Sequence, residues 1–337
     1  MREWGLIGQE AAVGVLEGSL QRNQVPHALL LTGPEGTGKE TAAQHMAARL
    51  LCAAGPAREP CGECAPCRHR AAGTTPDYIE VTAGEGEDIR IDRVRELTRQ
   101  AQLTPQESGR RVVLLAPAEA LNTYAANALL KLLEEPPGEV VFLLVSHRSE
   151  GLLPTIRSRC QLVPFRPVAV PEVEAWLEET HGLTGEYARL ASRLAGGAPG
   201  RALVWAERSL LEERNSVLEG LEAVRGGGGE SLLETAEKWA SAESVAWLPY
   251  LEAWLRDLAR VRVSAGRVPA ERLVNFDRRE RLDTQARRLG AAEADRLLKA
   301  VVRLREAVAG RENTRLAVED FLVTWRWPSG VPARKPQ

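Results

Sequence analysis

The sequence predicts an α/β protein in which a parallel sheet with helices on both faces is followed by a purely helical second half. Three observations carry that prediction. Short apolar runs bounded by glycine and proline alternate with helical patterns through the first 165 residues. Several of these runs lack any polar interruption, which a strand tolerates when both of its faces are covered. Beyond about residue 171 no further run of this kind appears, and apolar residues recur at helical spacing instead.

Taken in order, residues 6–23 predict a helix, with Ala12, Val13, Leu16 and Leu20 on one face and Pro26 as its stop. The first buried strand follows at 28–32. After a glycine-rich turn a helix spans Thr41 to Leu51, and the cysteine-containing segment beyond it is a loop punctuated by glycine and proline. Residues 77–81 form a second strand, and 91–103 a helix. Strands at 111–115, 140–145 and 161–165 complete five, with helices at 125–135 and 152–158 between them. Residues 166–171 are a linker. Helices then cover 172–181 and 185–194, and another follows Gly196-Gly197-Ala198-Pro199-Gly200-Arg201. The remainder is helical to about Trp325, interrupted by a flexible Gly226–Gly229 connection, and 328–337 is a frayed tail.

At 337 residues the chain predicts two or three domains. Its 44% hydrophobic and 27% charged residues are those of a globular protein. No apolar run approaches the roughly 20 residues of a membrane span, and the N-terminus lacks the layout of a signal peptide, so a cytoplasmic location is expected. A net charge of −2 argues against a surface coated with phosphate contacts while allowing a local basic patch. Five lysines stand against 39 arginines, a bias that a GC-rich genome explains without any arginine-specific function.

The turn after the first strand reads Gly33-Pro34-Glu35-Gly36-Thr37-Gly38-Lys39-Glu40-Thr41. A strand, a glycine-rich turn and a helix carrying GxxxxGK form a phosphate-binding loop. Gly33, Gly36 and Gly38 let backbone N–H groups curl round phosphates, and Lys39 neutralises them. The position after the lysine departs from the pattern: a hydroxyl that would hold Mg²⁺ is replaced by Glu40.

Four of the five cysteines, Cys52, Cys61, Cys64 and Cys67, have the spacing C-x8-C-x2-C-x2-C. In a reducing compartment such clustering favours a metal over disulfides, and four thiolates predict a closed, structural, tetrahedral Zn²⁺ site. A CxxC exchange site is the alternative, though it would not require four cysteines. Cys160 stands apart as a buried apolar cysteine.

Three further phrases bring a family into view: Asn122 to Pro137 (NTYAANALLKLLEEPP), Leu153 to Cys160 (LPTIRSRC) and Gly197 to Leu203 (GAPGRAL). Together with the phosphate loop and the cysteines, they make the first 205 residues resemble the AAA+ subunits of the bacterial DNA polymerase III clamp loader, most closely those of the delta-prime type. The resemblance implies an AAA+ (P-loop NTPase-like) five-stranded sheet at 1–166, with a zinc module at 52–67. A helical lid at 167–207, a helical collar for oligomerisation at 208–327 and a tail at 328–337 would follow.

It also implies the state of the site. ATP-driven members carry acidic residues after the third strand, where this chain has Ala116 and Pro117; Glu119 is the nearest carboxylate. With Glu40, three losses coincide, and phosphoryl transfer depends on positioned charge. The expectation is a catalytically dead site in a stator-like subunit of the polymerase III holoenzyme. Residual nucleotide or phosphate binding through Lys39 stays open beside a lysine simply solvated at the helix start. Arg159, in Ser158-Arg159-Cys160, resembles the arginine that reaches into a neighbouring subunit's ATP site, against the plain alternative of a surface ion pair. Arg201 matches the lid arginine that senses nucleotide in active relatives, and Ser146 stands near a sensor position. Implied partners are gamma/tau and delta type subunits, with the sliding clamp and primer-template DNA reached through the complex, and no membrane. An active gamma/tau-like motor is the alternative; a phosphate-loop kinase lacks both an acceptor site and the Mg²⁺ hydroxyl. Basic residues outnumber acidic ones over 256–315, which fits solvated collar helices as well as a sequence-independent DNA contact.

Overall fold

The computed structural model describes residues 4–84, 87–207, 209–227, 229–241, 247–310 and 313–329. Its first half consists of α1 (Glu10–Gln21), β1 (Ala28–Thr32), α2 (Lys39–Leu51), α3 (Ala65–Ala71), β2 (Tyr78–Thr82), α4 (Ile91–Ala101), β3 (Arg111–Ala116), α5 (Thr123–Glu134), β4 (Val140–Ser146), α6 (Pro154–Arg157) and β5 (Gln161–Pro164). Helices α7 (Val170–His181), α8 (Gly185–Leu194), α9 (Pro199–Ala206), α10 (Leu210–Gly226), α11 (Gly229–Ala240), α12 (Trp247–Val263), α13 (Arg279–Arg288), α14 (Ala291–Ala309) and α15 (Thr314–Arg326) follow. The chain divides by its contacts into two compact units, Met1–Trp176 with Gly196–Ala202, and Leu177–Ala195 with Leu203–Gln337.

In the first unit the five strands are parallel and lie in the order β2-β3-β4-β1-β5. Every residue of β3 and β4 is buried, as uninterrupted apolar runs require when both faces are covered. One face packs Leu29, Leu31, Leu114 and Leu143 against α1 and α2 through Leu16, Leu20, Met46 and Leu50. The other packs Leu30, Val113, Phe142 and Leu144 against Val94 and Leu97 of α4, Leu129 and Leu133 of α5, and Ile156 of α6. Successive strand residues thus feed opposite layers.

Several elements differ in extent from the sequence reading, α7 among them, which begins at Val170 inside the expected linker. The first helix is shorter than 6–23, because Gly8 takes a left-handed conformation before it and Arg22 caps it. The cysteine segment is not all loop: α3 begins at Ala65, with Pro66 in its first turn, where a missing N–H costs nothing. The tail lies outside the described residues from 330 onward. The interruption expected at Gly226–Gly229 is shorter: Gly226 ends α10 and Gly229 begins α11, with Gly228 outside the described residues.

The second unit is helical and built on Trp254, Trp325, Tyr250, Phe321 and Leu251, all essentially inaccessible. Arg225 stacks over Trp325, 3.7 Å from the ring centroid. The buried Arg214 forks onto Asp277 with two 2.7 Å hydrogen bonds.

The sheet's edge rests on a buried carboxylate. Asp77 is fully inaccessible, and its oxygens accept the backbone N–H groups of Gln106, Glu107 and Ser108 at 2.8 Å each. Burial alone would raise this carboxyl, but the three N–H donors and Arg111 hold it below its ordinary value of 3.8. Replacing Asp77 by Ala strips three amides of their acceptor and should cost about 3 kcal/mol or more in urea unfolding at neutral pH. A depressed folded pKa contributes stability that is complete above 3.8 and lost as pH falls through the lower, folded value. The gap between wild type and variant should therefore narrow in strongly acidic buffer.

Candidate functional site

The phosphate loop connects β1 to α2, and Gly38 precedes the first helical residue, Lys39. The loop is folded tightly upon itself. Lys39 is only 2% exposed, and its ammonium donates to the Pro34 carbonyl at 2.6 Å; the Thr37 hydroxyl donates to the same oxygen at 2.8 Å. Burial lowers the Lys39 pKa to about 8, against the opposing pull of Glu40, Glu119 and Glu35. Glu40 is exposed and lies 3.9 Å from His147 Nε2, and Thr41 is exposed beside it.

Two glycines of the loop are hemmed in by backbone. A Cβ on Gly33 (φ +143) would lie 2.1 Å from the Phe165 carbonyl oxygen, and one on Gly36 (φ +76) 2.6 Å from the Arg201 amide nitrogen. The Gly36 carbonyl accepts the Gly200 N–H at 2.8 Å. Arg201 lies in the first turn of α9, so the GAPGR phrase meets the phosphate loop through backbone.

Ala116 ends β3 and is buried, and Pro117 follows it. Glu119 sits in a short 3-10 turn, where one carboxylate oxygen accepts the N–H groups of His147 (2.8 Å) and Arg148 (3.2 Å) just beyond β4. That oxygen ties the end of β4 to the loop after β3. A cavity opens beside Glu35, Glu40, Ala116, Pro117, Glu119 and His147. Ser146 is fully buried at the end of β4, and its carbonyl accepts the Gly33 N–H at 3.2 Å.

The sequence-predicted residues thus fall into three places. Gly33, Gly36, Gly38, Lys39, Glu40, Thr41 and Arg201 come together at the loop. Arg159 does not line the adjoining cavity. It follows α6 and donates to the Thr155 carbonyl (2.9 Å) and to Ser158 Oγ (3.4 Å), and it forms an ion pair with Glu134 at the end of α5. The closure of the loop on Lys39 and the partner of Arg159 are features that sequence reading missed. A backbone carbonyl leaves no signature in a sequence, and Glu134 and Glu135 read only as the acidic end of a helix.

The third place is the cysteine cluster. Cys52 caps the end of α2, Cys64 caps the start of α3 and Cys67 lies in its first turn. The four sulfurs all lie within 4.8 Å of one another, with Cys52 Sγ 3.6 Å from Cys61 Sγ and 4.0 Å from Cys64 Sγ. Sulfurs 2.3 Å from a tetrahedral metal stand about 3.8 Å apart, so this set fits a metal ion. Backbone N–H groups of Cys61 and Cys64 approach Cys52 and Cys61 sulfurs at 3.4 Å. The Cys64 and Glu63 amides draw the Cys61 thiol below its ordinary value, and burial pushes Cys67 up to about 12. His69 takes no place in the set; its Nδ1 is 2.9 Å from Glu107. Cys160 is separate and only partly buried against the core rather than fully buried as expected, and desolvation pushes its thiol up to about 11.

A phosphate-loop turn after β1, in a parallel sheet ordered β2-β3-β4-β1-β5, defines an AAA+ protein. A family model described as DNA polymerase III, delta subunit, matches residues 8–169, and one for its C-terminal region matches 208–326. The delta' subunit of DNA polymerase III from Pseudomonas aeruginosa is 38% identical over 314 residues, 90% of this chain and 93% of that protein. A gamma/tau subunit of the same polymerase from Mycobacterium tuberculosis is 36% identical over 201 residues, 58% of this chain and 34% of that protein. Among solved structures, a DNA polymerase III gamma subunit-related protein from Thermotoga maritima aligns with a TM-score of 0.49 at 18% identity, over 94% of this chain and 100% of that one. The chain belongs to the family of DNA polymerase III delta' subunits. The resemblance drawn from its motifs is borne out.

Lys39 gives the closed loop a pH signature. With a folded pKa of about 8 against an ordinary 10.5, the unfolded chain holds a proton between those values that the folded chain has shed. Stability from this group should therefore rise with pH from about 8 to 10.5. Thermal unfolding across that range should show the wild type gaining stability relative to Lys39→Met, the slopes of the other titrating groups being common to both.

Proposed function

We propose that the chain is a non-hydrolysing, stator-like subunit of the DNA polymerase III clamp loader, supplying Arg159 to a neighbouring subunit's ATP site. The observation that carries this reading is the closed phosphate loop: the Pro34 carbonyl takes the Lys39 ammonium, and Gly200 bonds the Gly36 carbonyl. To reach a polyphosphate the Lys39 ammonium would have to leave that carbonyl. The chemistry around it points the same way. Glu40 brings a negative charge where a Mg²⁺ hydroxyl is needed, and Ala116 and Pro117 offer no carboxylate to a metal or to water. Glu119 supports the backbone of His147 and Arg148, which accounts for it without catalysis.

On this reading the chain's residues act in three ways. The closed loop holds Gly200 and Arg201 through their backbone. Arg159, a planar and permanently charged fork, stabilises charge on a phosphoryl group in the adjacent subunit. Cys52, Cys61, Cys64 and Cys67 hold a structural Zn²⁺, whose chemistry when bound is to crosslink α2 and α3. The AAA+ part would be 1–166, the lid 167–207, the collar 208–327 and the tail 328–337. Partners would be gamma/tau and delta type subunits, with the sliding clamp and primer-template DNA engaged through the assembly.

The likeness to a gamma/tau subunit favours a competing reading as an active motor. Steady-state ATP turnover decides between them. The isolated chain should hydrolyse ATP no faster than buffer. In the reassembled complex, Arg159→Ala should slow the site that receives it on the order of 10³-fold without loss of assembly. Measurable turnover by the isolated chain would sink the stator reading, and unchanged turnover with Arg159→Ala would sink the arginine's role in trans.

Metal analysis of the reduced protein should find about one zinc per chain. Chelation should lower the melting temperature, because binding energy at such a site is folding energy.

A further inference from the structure

The Arg159 guanidinium is partly exposed but folded back onto its own chain. Its Nη1 donates to the Thr155 carbonyl at 2.9 Å and to Ser158 Oγ at 3.4 Å, and its Nη2 is paired with Glu134 Oε1. Three of the five guanidinium N–H donors are thus directed at this chain's own oxygens, which ties up the end-on fork of Nη1 and Nη2. The carboxylate also cancels much of the positive field the guanidinium would project.

Glu134 is the last residue of α5, where the helix already presents partial negative charge from its free carbonyls. A carboxylate there is unfavourable by itself and gains most from a cation. Arg159 supplies one. The pair is only partly shielded, with side-chain exposures of 32% for Arg159 and 46% for Glu134. Water and salt weaken an ion pair at such exposure. It is strong enough to set the resting position of the side chain and weak enough to yield to a triphosphate, which carries several charges to the carboxylate's one.

We infer that Glu134 is a positioning residue that holds Arg159 in a withdrawn state and surrenders it when a neighbour's nucleotide phosphates compete for the guanidinium. The inference rests on the reading of Arg159 as an arginine acting in trans. No covalent bond is made or broken in the exchange; the guanidinium trades one anion for another. The withdrawn state lowers the fraction of complexes ready to react, and the receiving site works in proportion to that fraction.

The test uses the reassembled complex with the full-length chain, assembly being verified by size-exclusion chromatography. Four versions are compared: wild type, Glu134→Gln, Glu134→Asp and Arg159→Ala, with the double variant as a control. ATP turnover is measured at limiting and saturating ATP, without DNA. Glu134→Gln keeps the shape and removes the charge. It should raise turnover at limiting ATP about three- to tenfold, the inverse of the ready fraction, with a smaller change at saturation. Glu134→Asp keeps the charge on a shorter arm and should fall between wild type and Glu134→Gln. The double variant should match Arg159→Ala. A residue that merely tethers α5 to α6 would not move turnover upward through Arg159. If Glu134→Gln turns over at or below the wild-type rate while Arg159→Ala is slow, the latch is wrong and the role of Arg159 in trans stands. If Arg159→Ala leaves turnover unchanged, both fall together.

Discussion

An ammonium group buried beneath a glycine loop must find an oxygen, and here the loop provides its own. The bond from Lys39 to the Pro34 carbonyl, shared with the Thr37 hydroxyl, fixes the direction of the turn between β1 and α2. A desolvated lysine without an acceptor would be costly or would lose its proton. With the acceptor in place the turn becomes a rigid corner. Gly33 can then sit against the Phe165 carbonyl beyond β5, and Gly36 against the first turn of α9. Glu40, next along the helix, faces His147 across the adjoining cavity.

Buried polar groups play a comparable part inside each unit. In the first, Asp77 gathers three amides of the segment leading to β3. In the second, Arg214 forks onto Asp277, and Asp257 accepts both the backbone and side-chain N–H groups of Asn275 at 2.8 and 2.9 Å. Burial raises the Asp257 carboxyl, and the Asn275 donors only partly offset it. Such groups tolerate one arrangement of neighbours and penalise others, whereas an apolar core alone accepts many packings of similar energy.

Much of the first unit was legible because β3 and β4 are covered on both faces, which leaves apolar runs that no helix of that length would need. The cysteine cluster was legible because its spacing already implies convergence, and the four sulfurs do meet. The turn-forming glycines were legible as a motif, but not the closure they permit, since Pro34 contributes a carbonyl that every residue possesses. The pairing of Glu134 with Arg159 was hidden for another reason. The two residues are 25 apart in the chain, and only the packing of α5 beside α6 brings them together. The start of α1 was misjudged because Gly8 and its left-handed backbone lie inside a stretch whose apolar spacing still suits a helix.

Helix α2 begins at Lys39 and gives way to Cys52 at its far end. Its 13 residues make a rod about 20 Å long, with about 100° of rotation between one residue and the next. Loop and cysteine cluster are therefore indexed to a single screw. Adding or deleting one residue anywhere along it would turn one end by that angle relative to the other, swinging either the lysine away from its carbonyl or the cysteine away from its three companions. Substitutions along the exposed side of α2 can accumulate freely, but its length is locked at both ends.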